Sequence, residues 1–386
     1  MLNYPTPNIL TYSMPPCHAL NIGFLARQKM MKKLYIVVLL VLVLGLGVYS
    51  QRGAIFLALA PVGMEANLQS NKIEALGDGL HIALCGAGGP MPSVRRSGPC
   101  VAVIAAGKLF LVDSGSNGIR NLGRMGYAPG LISGVFVTHF HSDHIDGLGE
   151  VATLRWANGA HDKPLNIYGP EGVSAVVDGF NQAYAQDKVY RNDHHGNNTT
   201  PLSGAGMLAI SAPLPVDGEL ITLYEQDGLK VEMLAVDHFP ISPAVAYRFS
   251  YAGRTALISG DTSKSANIEK FAQGIDLLVH EALSPALLRA MNQGATNAGQ
   301  ANMAKIFHDV LDYHASPIEA AETARDADVG HLLYYHVVPP LDQPGAEAAW
   351  LEGVDHYFGD FTLGQDGTVV SLPANTTDIE VDNSGL

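Results

Sequence analysis

From about Ile73 onward, short apolar runs alternate with stretches whose apolar positions recur every three or four residues. Runs rich in β-branched and aromatic residues, bounded by Gly, Pro, Asn or Asp, mark strands. They fall at HIALC (81–85), CVAVIA (100–105), KLFLVD (108–113), GVFVTH (134–139), LNIYG (165–169), LKVEMLAV (229–236), AVAYRFSY (244–251), RTALISGD (254–261), DLLVHE (276–281), HLLYYH (331–336) and TVVSL (368–372). Helices fit 147–156, with Leu148, Val151 and Leu154 on one side, and 172–184, 266–272 and 316–327. The last has its own start signal: Ser316 as N-cap, Pro317 in the first helical position and Glu319 three residues after the cap. Strands alternating with helices, with hairpins as well as crossovers, predict an α/β layered domain over 73–375. No repeat, low-complexity tract or long linker splits it. The tail 376–386, containing DIEVDNSGL, has no apolar period and reads as a frayed end.

The N-terminus follows a different pattern. Arg27, Lys29, Lys32 and Lys33 precede sixteen uncharged residues, Leu34 to Tyr49, and GAIFLALA extends the apolar character past Arg52. Basic residues followed by an apolar run are the signature of a secretory signal or signal anchor, assigned here to 31–60. Met30 and Met31 offer an alternative start, which makes 1–30 an extension. Ser50 is a compatible cleavage point, whereas Pro61 opposes cutting after Ala58-Leu59-Ala60. The body is therefore expected to be exported, either periplasmic or anchored through residues 34–60 and facing outward.

Composition narrows the partners. With 37 acidic against 23 basic residues the formal net charge is −14, which implies no broad electropositive surface and disfavours nucleic acid. At 386 residues and 47% hydrophobic, the chain can bury a sizeable core. Cysteines stand only at 17, 85 and 100, too few for a stapled mini-domain or a cysteine-rich zinc module. If 80–84 and 101–104 pair as antiparallel neighbours, Cys85 and Cys100 face each other, either as a disulfide or as two buried thiols. Nothing in the sequence sets the oligomeric state; a homodimer is compatible with it.

The candidate chemistry lies in GVFVTHFHSDHIDGLGE, residues 134–150, where a buried strand runs directly into a loop dense with metal-ligating side chains. In extended backbone His139 and His141 point to one side, and the turn through Asp143 and His144 brings a carboxylate and a third imidazole to a neighbouring point. Two adjacent metal positions are expected. Three further candidates each end an apolar strand: His238, Asp261 and His336. Strand ends at one sheet edge are where α/β folds gather sites. Imidazole and carboxylate donors suit two Zn²⁺ ions, with Mn²⁺ or Fe²⁺ as alternatives.

From LCGAGGP through FLVDSGSN, VTHFHSDH, YGPEGV, VDHFPISPAVAYRF, ISGDTS, LLVHEAL and DYHASPIEAAETA to LLYYHVVP, roughly 78–373, the chain resembles the metallo-β-lactamase superfamily, in the branch that holds RNase Z and zinc arylsulfatase-type hydrolases. The resemblance implies an αββα sandwich and a metal-dependent hydrolase. It assigns His139, His141 and His238 to one zinc and Asp143, His144 and His336 to the second, with Asp261 bridging. It also implies that His314, supported by Glu281, contacts the ester oxygens of the substrate. Asp143 is suited to orient the attacking water or take its proton. His194 and His195, in polar, loop-like YRNDHHGNN, rival His238 as third ligand. His161, His331 and His356 read as structural, and His280, beside Glu281, stays open.

Substrate expectations rest on departures from the resembled family. RNase Z carries a long arm for transfer RNA between the third-ligand histidine and the bridging aspartate, whereas here only 22 residues, 239–260, separate His238 from Asp261. No cysteine stands at a ligand position, which argues against β-lactam hydrolysis. The expectation is an exported or anchored dizinc hydrolase of a small sulfate or phosphate ester. The alternatives are an RNase Z-like phosphodiesterase or endoribonuclease, a lactonase, and a metal-loaded binding protein.

Overall fold

The computed structural model describes residues 18–69 and 71–386. Cys17 and most of the expected extension 1–30 lie outside the described residues. Two units separate at Ser70. The described part of the first is one helix, His18–Gln69, running without a break through Arg52 and Pro61. Its segment Phe24–Ala66 is long and apolar enough to cross a membrane by length and composition.

The second unit opens with strands β1 (Gly79–Gly86), β2 (Cys100–Ala105), β3 (Lys108–Val112), β4 (Ile132–Phe136), β5 (Leu165–Pro170) and β6 (Met207–Ala212). A second series follows: β7 (Ile221–Gln226), β8 (Leu229–Ala235), β9 (Val245–Tyr251), β10 (Arg254–Ile258), β11 (Leu277–Leu283), β12 (His331–Val338) and β13 (Phe361–Leu363). The chain ends on β14 (Val369–Pro373) and β15 (Glu380–Asp382). The first sheet has the order β15-β14-β1-β2-β3-β4-β5-β6, and the second β13-β12-β11-β10-β9-β8-β7. Strands β3 to β6 are parallel, as are β10 to β13. Parallel neighbours require crossovers, which the helices supply.

Period-two alternation explains the layers. In β1, Ile82 and Leu84 join Phe136, Met233, Phe249, Val279 and Leu333 in the core shared by the two sheets, while Ala83 and Cys85 face the opposite way. That outer face of the first sheet is covered by helices contributing Ile119, Leu122, Val151 and Val177. The outer face of the second is covered by Ile268, Ala320 and Ala324. All eight residues of β1 and all seven of β11 are buried, as expected of strands covered on both faces. The fold is the αββα metallo-β-lactamase sandwich that the resemblance implies.

Four strands lie beyond the sequence expectation: β6, β7, β13 and β15. The tail is therefore not frayed throughout: Glu380, Val381 and Asp382 pair with Ser371, Val370 and Val369. Three exposed residues carry no apolar pattern, and backbone ladder bonds alone define the strand. Helices Gly118–Arg124, Ala185–His195, Pro285–Asn297 and Ala301–Asp309 are likewise additional. Cys85 and Cys100 form a disulfide between β1 and β2, at a bulge where the register shifts from Leu84 to Gly86.

Candidate metal centre

The site stands on the strand ends. Strands β3, β4, β8, β10 and β12 all finish at one edge of the sandwich. The residues just beyond them, or at the last turn of β12, are Asp113, His139 to His144, His238, Asp261 and His336. Beyond Phe136 the β4 chain leaves the ladder, extends to His141 and turns into the short helix Ser142–Ile145, which carries Asp143 and His144. His336 sits in β12 where the register against β11 shifts, with φ of 43°. A left-handed histidine inside a strand is strained, and the bulge re-aims its ring into the site.

Two groups of ligand atoms result, His139 with His141, His238 and Asp261, and Asp143 with His144 and His336. Asp261 Oδ2 reaches both, at 3.8 Å from His139 Nε2, 3.3 Å from His144 Nε2, 4.0 Å from His238 Nε2 and 3.4 Å from His336 Nε2. His336 Nε2 is also 3.4 Å from Asp143 Oδ2. His314 approaches Asp261 and His336 closely enough to form a third group.

Hydrogen bonding decides which nitrogens present lone pairs. Buried Asp113 accepts from the Thr138 amide (2.8 Å), the Thr138 hydroxyl (2.8 Å) and His144 Nδ1 (2.7 Å). With its proton given to Asp113, the Thr138 hydroxyl accepts from His139 Nδ1 at 3.1 Å. His238 Nδ1 donates to the Tyr313 carbonyl at 2.8 Å. The Nε2 atoms of His139, His144 and His238 are thereby turned inward without protons, an arrangement typical of metal-ligating histidines. His144 Nε2 and Asp261 Oδ1 are buried with no hydrogen-bond partner. His139 Nε2 lies 3.0 Å and His238 Nε2 3.5 Å from His141 Nδ1. Nitrogens tetrahedrally bound to zinc at ~2.05 Å stand about 3.3 Å apart. A cation between these three nitrogens would therefore meet them at close to their present spacing. The donor set thus fits the dinuclear zinc site with which the family works.

Burial lowers the pKa of His139, His141 and His238 despite the nearby Asp261 charge, which keeps the imidazoles neutral and ready to ligate. Burial would lower His144 too, but the Asp261 and Asp113 carboxylates outweigh it and raise that ring. Burial would raise Asp261, yet His144 and His336 hold it well below the usual carboxylate range. Protons and metal therefore compete for this site.

Glu281, wholly buried within β11, accepts on Oε1 from His314 Nδ1 (2.9 Å), the Thr262 amide (3.0 Å) and the Ala315 amide (3.3 Å). His314 precedes the helix Pro317–Asp326, whose capping box is formed as the sequence predicts. Burial pulls the His314 pKa down, but the charge and hydrogen bond of Glu281 and the charge of Asp261 push it up to about 9. His314 and Glu281 thus stand beside the seven candidate ligands.

His194 and His195 are not in a loop. They end the helix Ala185–His195 and are exposed, outside every ligand group among the described residues. A charged, apolar-poor helix gives little periodic signal, which is why it read as loop. His280 is buried with Nδ1 on the Glu281 carbonyl (2.6 Å), His161 bonds the Gly130 carbonyl (2.7 Å), and His331 pairs with the Thr362 hydroxyl (3.0 Å). Sequence reasoning missed Asp113. The signal was available, because Asp113 ends the apolar run KLFLV as His238 and Asp261 end theirs.

A fold with two sheets between helices and paired His/Asp ligand groups at one edge defines a metal-dependent hydrolase of the metallo-β-lactamase class. The family model of the metallo-beta-lactamase superfamily matches residues 94–351, and the chain belongs to that superfamily. Within it the chain falls in the RNase Z branch. A protein named Ribonuclease Z from Mycolicibacterium gilvum is 36% identical over 276 residues, 70% of this chain and 88% of that one. Another, from Mycobacterium marinum, is 32% identical over 293 residues, 74% and 96% of the two chains. The short form of human tRNase Z superposes with a TM-score of 0.55 at 21% identity, covering 76% of this chain and 99% of that one, and shares the fold.

These relatives overturn two expectations. The small sulfate or phosphate ester does not stand as the substrate reading, and nucleic acid does not stand as a disfavoured partner: the relatives carry the name of a ribonuclease. Net charge misled because it sums the whole surface, whereas a polyanion is met locally, and bound divalent ions would reverse the sign of this site. The short 239–260 segment bears on one accessory element, not on the chemistry.

Proposed function

We propose that the chain is a metal-dependent phosphodiesterase acting on RNA, an RNase Z-like endoribonuclease. The observation that carries this reading is the bridged pair of ligand groups with the His314–Glu281 pair beside them, in a chain 36% identical to a protein named Ribonuclease Z. His139, His141 and His238 would hold one zinc and Asp143, His144 and His336 the other, with the Asp261 carboxylate within reach of both groups. Bound zinc lowers the pKa of water and offsets charge on phosphoryl oxygens. Asp143, whose side chain is 13% exposed while that of His144 beside it is sealed, orients the attacking water and accepts its proton. His314, kept protonated by Glu281, stabilises the phosphoryl oxygens or returns a proton to the leaving oxygen.

The test is cleavage of a precursor transfer RNA by metal-loaded protein, with aryl sulfates and lactones alongside. Site-specific cutting of the RNA, lost in His139→Ala, is expected; hydrolysis of small esters with the RNA untouched would refute the reading.

The helix Phe24–Ala66 is proposed as a membrane tether, and the basic residues before it favour a body translocated to the outer side. The Cys85–Cys100 disulfide agrees with an oxidising compartment. Protease added to spheroplasts, with the outer barrier removed, should digest the body; full protection there would place it inside.

A further inference from the structure

The segment 86–99, GAGGPMPSVRRSGP, leaves β1 and returns to β2, and the Cys85–Cys100 disulfide closes it at its base. Its path runs against one of the two ligand groups. The Ala87 carbonyl accepts from the Val337 amide at 2.9 Å, and Gly88 pairs with Val337, the neighbour of His336, in an isolated β-bridge. At Gly89 an added methyl would stand 3.0 Å from His336 Cε1 and 2.8 Å from Val338 Cγ2, so bare backbone lies against the imidazole. On the returning side, a methyl at Gly98 would stand 3.3 Å from the Asp143 carbonyl. The Pro99 carbonyl accepts from the Gly115 amide (2.8 Å), and the amide before that one, of Ser114, donates to the His144 carbonyl (2.8 Å). Asp143, His144 and His336 form one ligand group, and the loop backs all three. Two clamps hold its base. Asp366 accepts from the Ala87 amide (3.0 Å) and the Ser97 amide (2.9 Å), and the disulfide joins the flanking strands. With glycines at 86, 88, 89 and 98, the segment has much conformational freedom when its ends are loose, and a cross-link removes part of it.

We propose that the Cys85–Cys100 bond positions the ligands of this one metal, so that chain folded with both thiols reduced holds it weakly and oxidation completes the dinuclear site; the proposal rests on the phosphodiesterase reading above. The bond forms as the two thiols give two protons and two electrons to a second disulfide, such as glutathione disulfide, which leaves as two thiols. Both cysteines are fully buried, and a methyl on Gly118 would stand 2.8 Å from Cys100 Sγ. Thiol–disulfide exchange requires access, so a reductant meets this bond only in the unfolded chain. Its state is therefore set during folding, by the compartment in which folding takes place. A ribonuclease so built stays short of one metal in a reducing compartment and becomes complete where thiols oxidise.

Chelator competition on the full chain in detergent micelles reads both zinc affinities. Cys85→Ala/Cys100→Ala should leave one nearly unchanged and lower the other roughly 10–100-fold, the size of losing support around a ligand. With His336→Ala already present, the same two changes should do almost nothing further to the zinc that remains. Two unchanged affinities with only a lowered unfolding midpoint would overturn the proposal and make Asp366 the sufficient clamp. Two affinities falling alike would overturn it as general loosening. Gly89→Ala leaves the bond intact and keeps the question open to test if the double variant does not fold: it should weaken one zinc selectively, and unchanged affinities there would refute the route from loop to His336. Excess zinc should restore RNA turnover in either variant, because the groups that act on the substrate are untouched. The two readings fail separately. Selective zinc loss where the oxidised wild type cuts no RNA would retain the positioning role and sink the endoribonuclease, whereas RNA cutting with both zinc affinities indifferent to the bond would sink the positioning role alone.

Discussion

Asp113→Asn tests the orientation of the metal ligands without touching a ligand. Asp113 is fully buried, in a left-handed conformation with φ of 59°, and accepts on Oδ1 from the Thr138 amide and on Oδ2 from the Thr138 hydroxyl and His144 Nδ1. In the asparagine the Thr138 amide keeps the oxygen, so the NH₂ faces Thr138 and His144. The hydroxyl can rotate to accept. His144 can answer only by presenting a lone pair on Nδ1, which moves its proton to Nε2, the atom 3.3 Å from Asp261 and 3.7 Å from Asp143. That tautomer cannot ligate. The lost bond joins a carboxylate to imidazole, a class worth about 1.5–3 kcal/mol. Loss of such an outer partner costs ~10–100-fold in metal affinity, about 1.4–2.8 kcal/mol, so the two figures agree. Competition with a chromogenic chelator should show one of the two zinc affinities falling by that factor. The metal-induced rise in Tm should shrink at fixed zinc concentration. Unchanged zinc affinity with a lowered Tm of the metal-free protein would refute the orienting role and leave Asp113 a purely structural brace.

Asp261→Ala should release at least one zinc and weaken the other, because one carboxylate faces both groups, and His238→Ala should lower zinc content while His194→Ala and His195→Ala should not; elemental analysis of dialysed protein reads all four. His314→Ala should keep both metals and lose roughly 10²–10⁴-fold in turnover, most with poor leaving groups; a loss that ignores the leaving group counts against proton donation. Because the folded pKa of His314 is raised from 6.5 to about 9, the metal-free protein has the full stabilisation of the His314–Glu281 pair below the unfolded value and loses it as pH rises through about 9. The Tm gap between metal-free wild type and His314→Gln should therefore narrow over that interval, and a gap that widens would contradict the assignment. Replacing both Cys85 and Cys100 by alanine should cost about 3 kcal/mol on the chain-entropy account of a loop with sequence separation 15, read by denaturant unfolding. Two labelled thiols in unreduced, denatured wild type would remove its basis.

The strands covered on both faces were legible because burial on both sides demands unbroken apolar runs, and the H-x-H-x-D-H turn was legible because its ligands are consecutive in the chain. His238, Asp261 and His336 could be nominated from their places at strand ends, and the topology then carried them to one edge. Other features left no local trace. Strand β15 is three exposed residues held by a ladder to β14, and the helix ending at His194 and His195 has almost no apolar face. Asp113 looked like any aspartate after a strand until Thr138 and His144 closed on it. Composition, a sum over all residues, pointed away from nucleic acid, while the recognition chemistry sits in a few side chains and the ions they are suited to hold. Residue types and spacing thus determined the fold class and the metal chemistry, because both are written in local periodicity. The sharing of Asp261 between two ligand groups, the tautomer of each imidazole and the contact of the 86–99 loop with His336 were decided only by tertiary structure, because each depends on atoms from segments distant in the chain meeting within hydrogen-bond or van der Waals distance.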